Sequence, residues 1–283
     1  MPWMWQDGDG HRTKFEFKPY APEVQEKLTN AFKDPDQLSC EFVVSPGKHA
    51  LVIKQANGTF LQLTKKGTRE VKHVLDEHVV VVVVDRSGSM CDVMETAVDG
   101  ANKFLSDQLK ESSGNKRFVL SFFNEHVVPV QSGDIQQFRP LQKGYVSADG
   151  QTALYTAIHE SVKAAQGAVS LMKTQPVVTI YILTDGEENC SVHKLPETKQ
   201  LIKDKRENGW KFFFCGANQD AAKVGETLGI SKETCLTFGA DKKNVEKVFE
   251  VASAAIIRCQ RRVDNGCFTQ TERDCVISRE SGY

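Results

Sequence analysis

The most constraining feature of this chain is an unbroken run of six valines, Val79–Val84, that ends at Asp85. β-Branched residues favour strands, and a strand that is apolar at every position is buried on both of its faces. Such strands belong to parallel sheets that helices cover on both sides. The run therefore predicts a central strand of an α/β domain, with Asp85 at its carboxyl end.

The sequence after the valine run alternates strands with amphipathic helices. Strands are predicted at RFVLSFFN, VVPV, VVTIYILT and KFFFCGA. Helices are predicted at METAVDGANKFLSDQL, TALYTAIHESVKAAQ, LPETKQLIKDKRE, DAAKVGETLGI and NVEKVFEVASAAIIRCQR. This alternation is typical of a mainly parallel sheet covered on both faces. Residues 77–262 are therefore predicted to adopt an α/β, doubly wound, Rossmann-like fold, and the polar residues 263–283 to form a flexible tail.

The pattern of residues 1–74 predicts a separate and smaller α+β domain. PEVQEKLTNAF predicts a helix, because apolar residues recur on one face at Val24, Leu28 and Phe32 after a proline that suits the first turn. CEFVVS, HALVIKQ and TFLQLT predict three strands. The turn signals between them are Pro46-Gly47 and Asn57-Gly58. We expect one helix packed on a small, mostly antiparallel sheet.

The composition is that of an ordinary soluble protein, with 40% hydrophobic and 26% charged residues and a net charge of -1 over 283 residues. A nearly neutral chain lacks the basic surface expected of a protein that binds nucleic acid or a membrane. The N-terminus, MPWMWQDGDG, has no signal-peptide pattern, and the eight cysteines form no CxxC pair. We therefore expect reduced thiols in a cytoplasmic or nuclear protein. A zinc site is the less favoured interpretation of Cys259, Cys267 and Cys275.

Three polar clusters are predicted at the sheet edge where the carboxyl ends of parallel strands meet. They are DRSGS with Asp85, Ser87 and Ser89, DGQT ending at Thr152, and TDG with Asp185. Doubly wound sheets bind ligands at this edge, and carboxylates with hydroxyls are hard oxygen ligands that suit Mg²⁺, Mn²⁺ or Ca²⁺. Taken singly, Asp85 or Ser87 is a helix N-cap candidate and Asp185 a turn residue. Their combination after the expected strands favours a shared metal site.

The loop DRSGSM, the later threonine and the later TDG resemble the metal-ion-dependent adhesion site (MIDAS) of von Willebrand factor A (vWA) domains. The resemblance covers roughly Glu77 to Arg262, and all positions of the motif are intact. It implies that Mg²⁺ (or Mn²⁺) is held by the five matching positions, which are Asp85, Ser87, Ser89, Thr152 and Asp185. It also implies that an Asp or Glu of a partner protein completes the coordination shell of the ion.

Catalysis at the same residues is the alternative, as in a metal-dependent hydrolase of a phosphorylated nucleotide. The chain has no GxxxxGK[ST] phosphate loop and no GxSxG elbow around its serines. His126, His159 and His193 lie in different predicted elements, so no triad is indicated. We therefore predict no catalytic residue and no enzymatic activity; a metal that only braces the loops is a third hypothesis. The acidic residues flanking the site either tune its charge or are solvated helix-end residues, and the second interpretation is favoured: Asp92, Glu95, Glu187 and Glu188.

The segments WMWQDGDG, FKPYAPEVQEKLTNAF and FLQLTKKGTREVKH resemble a WWE domain, a half-barrel of strands packed on one helix, over about Pro2 to His73. Of the two tryptophans and the glutamate that name the family, the first is present at Trp5 (or Trp3). Phe17 and Thr29 occupy the other two positions. The plainer interpretation is that the aromatic residues form a core and that KKGTREVKH is a solvated basic turn.

Many WWE domains bind the iso-ADP-ribose unit of poly(ADP-ribose), so this resemblance implies a nucleotide site. Gln62 would face the adenine, Arg69 would contact a phosphate and Lys72 would assist it. His49 would replace the usual pocket aromatic, and Tyr20 also matches the family pattern. A protein ligand for the same module is the competing interpretation. We predict a non-enzymatic intracellular adaptor that binds a protein through a metal and ADP-ribosylated proteins, or a further protein, through the WWE-like domain.

Overall fold

A computed structural model of the chain describes residues 3–7, 16–31, 39–45, 48–54, 60–64, 67–73, 77–111, 115–260 and 266–276. The chain divides into two compact units, Met1–Asp76 and Glu77–Tyr283. Each unit contains a six-stranded sheet of its own. The two sheets differ in type, because the first is antiparallel throughout whereas the second is mainly parallel.

The first unit consists of an antiparallel sheet and one helix. Its elements are β1 (Trp3–Asp7), β2 (Glu16–Pro19), α1 (Pro22–Ala31), β3 (Ser39–Ser45), β4 (Lys48–Lys54), β5 (Phe60–Thr64) and β6 (Gly67–His73), and its strand order is β2-β1-β6-β5-β4-β3. Val24 and Leu28 of α1 are buried together with Cys40 of β3 and Val52 of β4. The small core therefore joins one face of the helix to the sheet.

The predicted helix and the three predicted strands of this unit are confirmed as α1, β3, β4 and β5. Strands β1, β2 and β6 are additional. β2 has four residues and β6 has a single apolar side chain, Val71, so each gives a weak strand pattern. The predicted helix residue and turn residues that lie outside the described part of the chain are Phe32, Pro46, Gly47, Asn57 and Gly58.

The second unit is a doubly wound α/β domain. Its elements are β7 (His78–Asp85), α2 (Met94–Lys110), β8 (Lys116–Phe123), β9 (Val127–Asp134), α3 (Leu154–Val169), β10 (Val177–Thr184), α4 (Leu195–Glu207), β11 (Lys211–Ala217), α5 (Ala221–Leu228), β12 (Cys235–Phe238), α6 (Lys242–Gln260) and α7 (Gln270–Cys275). The strand order is β12-β11-β10-β7-β8-β9, and only β9 pairs antiparallel. No described helix combines the length and apolarity needed to cross a bilayer.

The valine run forms β7 at the centre of this sheet, and every one of its side chains is fully buried. Alternate valines starting at Val80 pack in one core with α2 and α6. The others, starting at Val79, pack in a second core with α3, α4 and α5. Each buried valine contributes roughly 1.5–3 kcal/mol of hydrophobic stabilisation. Burial on both faces therefore explains why the strand is apolar at every position.

The position of β7 creates a crevice at the carboxyl edge of the sheet. β7 lies between β10 and β8, so the chain leaves it through α2 on one side and reaches β10 through α3 on the other. Doubly wound sheets bind ligands where the connections diverge in this way. The last residue of β7 and the first residue after β10 lie at that point, and they are Asp85 and Asp185.

The prediction of a flexible tail over 263–283 is wrong for residues 266–276. Phe268 and Val276 are buried in the core beside α6, and α7 begins at a capping box formed by Thr269 and Glu272. Glu272 also makes a bidentate ion pair with Arg258 of α6, at 2.7 and 3.1 Å. Two apolar side chains in a polar segment are enough to fix it, because the core offers them a matching surface. Residues 263–265 and 277–283 lie outside the described part of the chain.

Candidate metal centre

The five residues of the predicted metal site lie in three loops at one edge of the second sheet. Asp85 ends β7, and Ser87 and Ser89 lie in or next to the 3-10 turn Gly88–Asp92 that follows. Thr152 lies two residues before α3, and Asp185 comes directly after β10. The structure therefore places all five at the edge where the sequence predicts them.

The Asp85 carboxylate is fully buried and is held by two hydrogen bonds. Its Oδ1 accepts from the backbone N–H of Ser87 at 2.7 Å, and its Oδ2 accepts from the Thr184 hydroxyl at 2.5 Å. Thr184 is the last residue of β10, so this bond joins the neighbouring strands at their carboxyl ends. Thr184 was not among the residues predicted from the sequence, although its place just before Asp185 was the available signal.

Two serine hydroxyls connect the first loop to the third. Ser87 Oγ lies 3.1 Å from Ser89 Oγ, and Ser89 Oγ donates to Asp185 Oδ1 at 2.6 Å. The Ser87 side chain makes no capping hydrogen bond to the turn that it precedes. The N-cap explanation of Ser87 is therefore wrong, and the two hydroxyls lie between the two carboxylates.

Thr152 packs against the Asp185 loop. It is 3% exposed, its backbone N–H donates to Asn189 Oδ1 at 2.9 Å, and its carbonyl accepts from Asn189 N at 3.1 Å. A Cβ added to Gly186 would lie 2.7 Å from Thr152 Oγ1, so a side chain at this position would force the two loops apart. Among the described residues, no hydrogen bond to the Thr152 hydroxyl is found, which leaves this oxygen available to a ligand.

A second set of contacts fixes the Thr152 loop to the Asp85 loop. The Arg86 guanidinium donates to Asp149 Oδ1 at 2.8 Å and to the Ser147 carbonyl at 3.2 Å. Asp149 N donates to the Arg86 carbonyl at 2.9 Å, and Asn124 Nδ2 donates to Asp149 Oδ1 at 2.8 Å. The backbone N–H of Gly88 donates to a carbonyl in the same loop at 3.1 Å. Arg86 and Asp149 are thus positioning residues that the sequence analysis did not identify.

The interpretation of Glu188 as a solvated residue is wrong. Its carboxylate accepts from the backbone N–H groups of Tyr155, Cys190 and Ser191 and from the Ser191 hydroxyl, at 2.6–3.1 Å. It therefore satisfies a free N–H in the first turn of α3 and orders the loop after Asp185. The other flanking acids are exposed, as predicted: Asp92, Glu95 and Glu187.

The site concentrates negative charge without a basic partner. Burial, with a smaller contribution from the charge of Asp185, raises the pKa of Asp85 to about 6 despite the hydrogen bonds from Thr184 and Ser87. Burial also raises the pKa of Asp185 despite its bond from Ser89. Within the described residues neither carboxylate forms an ion pair, since Arg86 is paired with Asp149. A divalent cation would supply the missing positive charge.

The donor set fits a hard cation. Two carboxylates and three hydroxyls are oxygen ligands of the kind that Mg²⁺ and Mn²⁺ prefer. No group of three or more His, Cys, Asp or Glu side chains suited to a metal occurs in the described part of the chain. The alternative of a zinc site at Cys259, Cys267 and Cys275 therefore receives no support, and all three are free thiols.

The structure brings together two of the five residues predicted for ADP-ribose. The Tyr20 hydroxyl donates to Gln62 Oε1 at 2.7 Å, and Gln62 is 7% exposed. Arg69 of β6 lies opposite Gln62 of β5 in the strand register. His49 lies on β4 and Lys72 on β6 opposite β1. The side chains of His49, Arg69 and Lys72 lie outside the described part of the structure.

Comparison with known proteins gives a distant relative. No family model matches the chain. The chain is 25% identical over 193 residues to the uncharacterized protein YwmC of Bacillus subtilis (strain 168). The aligned region covers 60% of this chain and 80% of YwmC. This level of identity does not by itself assign a family.

Solved structures with a similar fold come from several sources. The pilus adhesin SpaC of Lactobacillus rhamnosus GG superposes with a TM-score of 0.51 at 16% identity, over 81% of this chain and 36% of SpaC. A von Willebrand factor type A structure from Catenulispora acidiphila gives 0.47 at 15% identity, over 78% and 46% of the two chains. Proximal thread matrix protein 1 of the mussel byssus, with a zinc-occupied MIDAS motif, gives 0.45 at 16% identity, over 65% and 46%.

This chain spans less than half of the length of each of these three structures. At such identities the likeness is one of fold. The predicted fold class, a doubly wound α/β sheet flanked by helices, is confirmed by the sheet topology and by the likeness in fold to SpaC.

Proposed function

We propose that the unit Glu77–Tyr283 is a vWA-like domain that binds a divalent metal and, through it, a carboxylate of a partner protein. The observation that carries this proposal is the continuous chain of contacts from Asp85 through Ser87 and Ser89 to Asp185 at the topological switch point. It brings the buried carboxylate of Asp85, the half-buried carboxylate of Asp185 and the hydroxyls between them to one place, beside the hydroxyl of Thr152.

The proposed ligands account for both metal choice and partner choice. Asp85, Ser87, Ser89, Thr152 and Asp185 would hold Mg²⁺ or Mn²⁺. Because three of the five are neutral hydroxyls, the bound ion attracts a further anionic oxygen, which a partner's Asp or Glu supplies. The protein residues position the ion, and the partner's side chain completes its coordination shell.

We favour binding over catalysis at this site. Within the described residues, no histidine hydrogen-bonds to the hydroxyl of Ser87 or Ser89, which bond to each other and to Asp185. A Ser–His pair of the kind that activates a nucleophilic serine is therefore absent from the described site. Release of phosphate from a nucleotide that disappears in Asp85→Ala would favour the metal-dependent hydrolase instead. Metal-dependent stabilisation with no metal-dependent partner would favour a purely structural ion.

Calorimetric titration of the full chain with MnCl₂ and with MgCl₂ tests the metal site. We expect binding by the wild type, loss of binding in Asp85→Ala, and unchanged binding in the control Asp92→Ala, which removes an exposed carboxylate from the same loop. Equal titration curves for Asp85→Ala and wild type would refute the site. Partner capture should then require Mg²⁺, be absent in Asp85→Ala and persist in Asp92→Ala.

We propose a second binding role, recognition of ADP-ribose, for the WWE-like unit Met1–Asp76. The observation in its favour is the buried Gln62, whose amide oxygen is fixed by Tyr20 so that its NH₂ group has a defined direction. A buried amide held in this way can donate a hydrogen bond to the edge of a base in a fixed direction. Together the two units describe a non-enzymatic intracellular adaptor, and the free state of the cysteines suits a reducing compartment.

Titration of the full chain with iso-ADP-ribose tests this second role. Gln62→Ala and Arg69→Ala should each lose the binding heat. Gln25→Ala is the matched control. Gln25 lies on helix α1, and its side-chain amide donates to the backbone carbonyl of Tyr20. No heat in the wild type, with α1 and the sheet intact by circular dichroism, would leave protein binding as the role of this unit.

A further inference from the structure

The loop that carries Asp185 is held along the first turns of α3. The backbone N–H of Thr156 donates to Ser191 Oγ at 3.1 Å, and Val192 N donates to Thr156 Oγ1 at 3.2 Å. Asn189 binds the backbone of Thr152 in both directions. Helix α3 therefore supports the loop that carries Asp185, and it also begins just after Thr152.

The last contact between this loop and α3 is a pair of stacked imidazoles. The rings of His159 and His193 are parallel within 3°, with centroids 3.7 Å apart. His159 Nε2 lies 3.2 Å from the Thr198 hydroxyl of α4, and His193 Nδ1 lies 3.9 Å from Glu197. Parallel rings aim their nitrogens side by side rather than at one point, so this pair is not arranged to share a metal ion.

Protonation changes this contact from favourable to unfavourable. Neutral imidazoles stack, whereas two imidazolium rings at this separation repel each other. Burial lowers the pKa of His159, the charge of His193 lowers it further, and the carboxylates of Glu197 and Glu160 act in the opposite direction. Those acids are weak counter-charges, because Glu197 is 63% exposed and Glu160 is paired with Lys163 at 3.4 Å.

The sign of the pH dependence follows from these groups. A histidine whose pKa is lower in the folded state stabilises the fold in its neutral form, and that stabilisation is lost as the pH falls from about 6.5 through the folded-state pKa. The stack is therefore intact at neutral pH and weakened in mildly acidic solution.

We propose that the His159–His193 pair is a pH-sensitive latch that holds the Asp185 loop on α3 at neutral pH and releases it in mildly acidic solution. Release frees the segment from Asn189 to His193, which is hydrogen-bonded to α3 and to Thr152. The latch itself does not depend on the metal site. Its effect on metal binding does rest on the proposed function, because that effect acts through Asp185 and Thr152.

Backbone hydrogen exchange tests the latch without any metal. In the wild type, protection of the Ser191 and Val192 amides, corrected for intrinsic exchange, should fall several-fold between about pH 7.5 and about pH 5.5. Protection of β7 amides should change much less. His193→Phe keeps a flat ring that cannot be protonated and should retain protection at both pH values, whereas His193→Ala should lack it at both. His126→Ala, which changes an exposed histidine elsewhere, should behave as wild type.

Equal protection of the wild-type Ser191 and Val192 amides at both pH values would overturn the proposal. A loss of protection in His193→Phe as large as that in the wild type would also overturn it. If the β7 amides of His193→Phe are unprotected, the variant is not folded. In that case an NMR pH titration of the histidine ring carbons of the wild type tests the latch. His159 should then titrate with a pKa below its ordinary value, and an unshifted or raised pKa of His159 would overturn the latch.

Mn²⁺ titration gives the functional consequence. Asp85 also gains a proton in this pH range, so the effect of the latch is the difference between variants. The loss of Mn²⁺ affinity on acidification should be several-fold larger in the wild type than in His193→Phe, and equal losses would show that the latch does not control the site. Absence of Mn²⁺ binding at either pH would refute the proposed function but not the latch, which the exchange experiment tests separately.

Discussion

Ser89 Oγ donates a 2.6 Å hydrogen bond to Asp185 Oδ1 across 96 positions of the sequence. The bond crosses the crevice between the end of β7 and the end of β10, and Asp85 is hydrogen-bonded across the same crevice to Thr184. Two strands that are neighbours in space but distant in sequence thus present their first loop residues to one point.

Asp85→Asn should stabilise the metal-free protein while it abolishes metal binding. The pKa of Asp85 is raised to about 6 from 3.8, so the folded state binds more protons than the unfolded state between these values. The free energy of unfolding of the metal-free wild type should therefore fall as the pH rises through this range, by up to about 3 kcal/mol.

Urea denaturation in EDTA at a series of pH values measures this effect. The Asn variant should show a flatter profile and exceed the wild type at neutral pH. An identical pH profile for both proteins would show that Asp85 is not the destabilising carboxylate. With saturating Mn²⁺ the order of stability should reverse, because only the wild type gains free energy from the ion.

Gly186→Ala should weaken metal binding through Thr152. The added Cβ would lie 2.7 Å from Thr152 Oγ1, so either this hydroxyl or the Asp185 loop must move. We expect a loss of stability of roughly 1–3 kcal/mol, as for other over-packed sites, and a clear loss of Mn²⁺ affinity. Gly167→Ala is the matched control. Its added Cβ meets nothing within 4 Å inside α3, and it should raise stability by roughly 0.5–1 kcal/mol without affecting Mn²⁺.

Arg86→Met should reduce metal affinity more than it reduces stability. The ion pair with Asp149 is partly exposed, with side chains 19% and 66% accessible, so its contribution to stability is below about 1 kcal/mol. It nevertheless fixes the loop that carries Thr152. A double-mutant cycle with Asp149→Asn, read by Mn²⁺ calorimetry, should show coupling. Additive effects of the two substitutions on Mn²⁺ affinity would mean that the ion pair does not position the site.

Phe268→Ala should destabilise the second unit by about 3 kcal/mol or more, as expected for a buried aromatic side chain. Phe268 is 5% exposed and packs edge-on against Phe213 of β11, with centroids 5.9 Å apart. Chemical denaturation measures the loss, and Thr269→Ala gives the smaller cost of a helix cap, about 1 kcal/mol. Stability equal to that of the wild type would mean that residues 266–276 do not pack on the domain. Mn²⁺ affinity should be unchanged in both variants.

The sequence alone determined the class of the second unit and the edge at which its site lies. Six consecutive valines require burial on two faces, and the alternation of strands and helices then dictates a mainly parallel sheet. The side chain that follows such a strand lies at the carboxyl edge, so Asp85 and Asp185 could be placed together from pattern alone. In the first unit the same reasoning found α1 and three strands but not β6, which Val71 alone marks with an apolar side chain.

Only the tertiary structure decided which partners hold these residues in place. Thr184, Arg86, Asp149 and Glu188 act through hydrogen bonds to groups distant in sequence, and no local periodicity encodes such contacts. The docking of Phe268 and the stacking of His159 on His193 have the same origin. The periodicity of a sequence indicates the face of a helix or strand on which a residue lies. The group that the residue contacts depends on how separate elements pack, and this packing is a property of the folded chain.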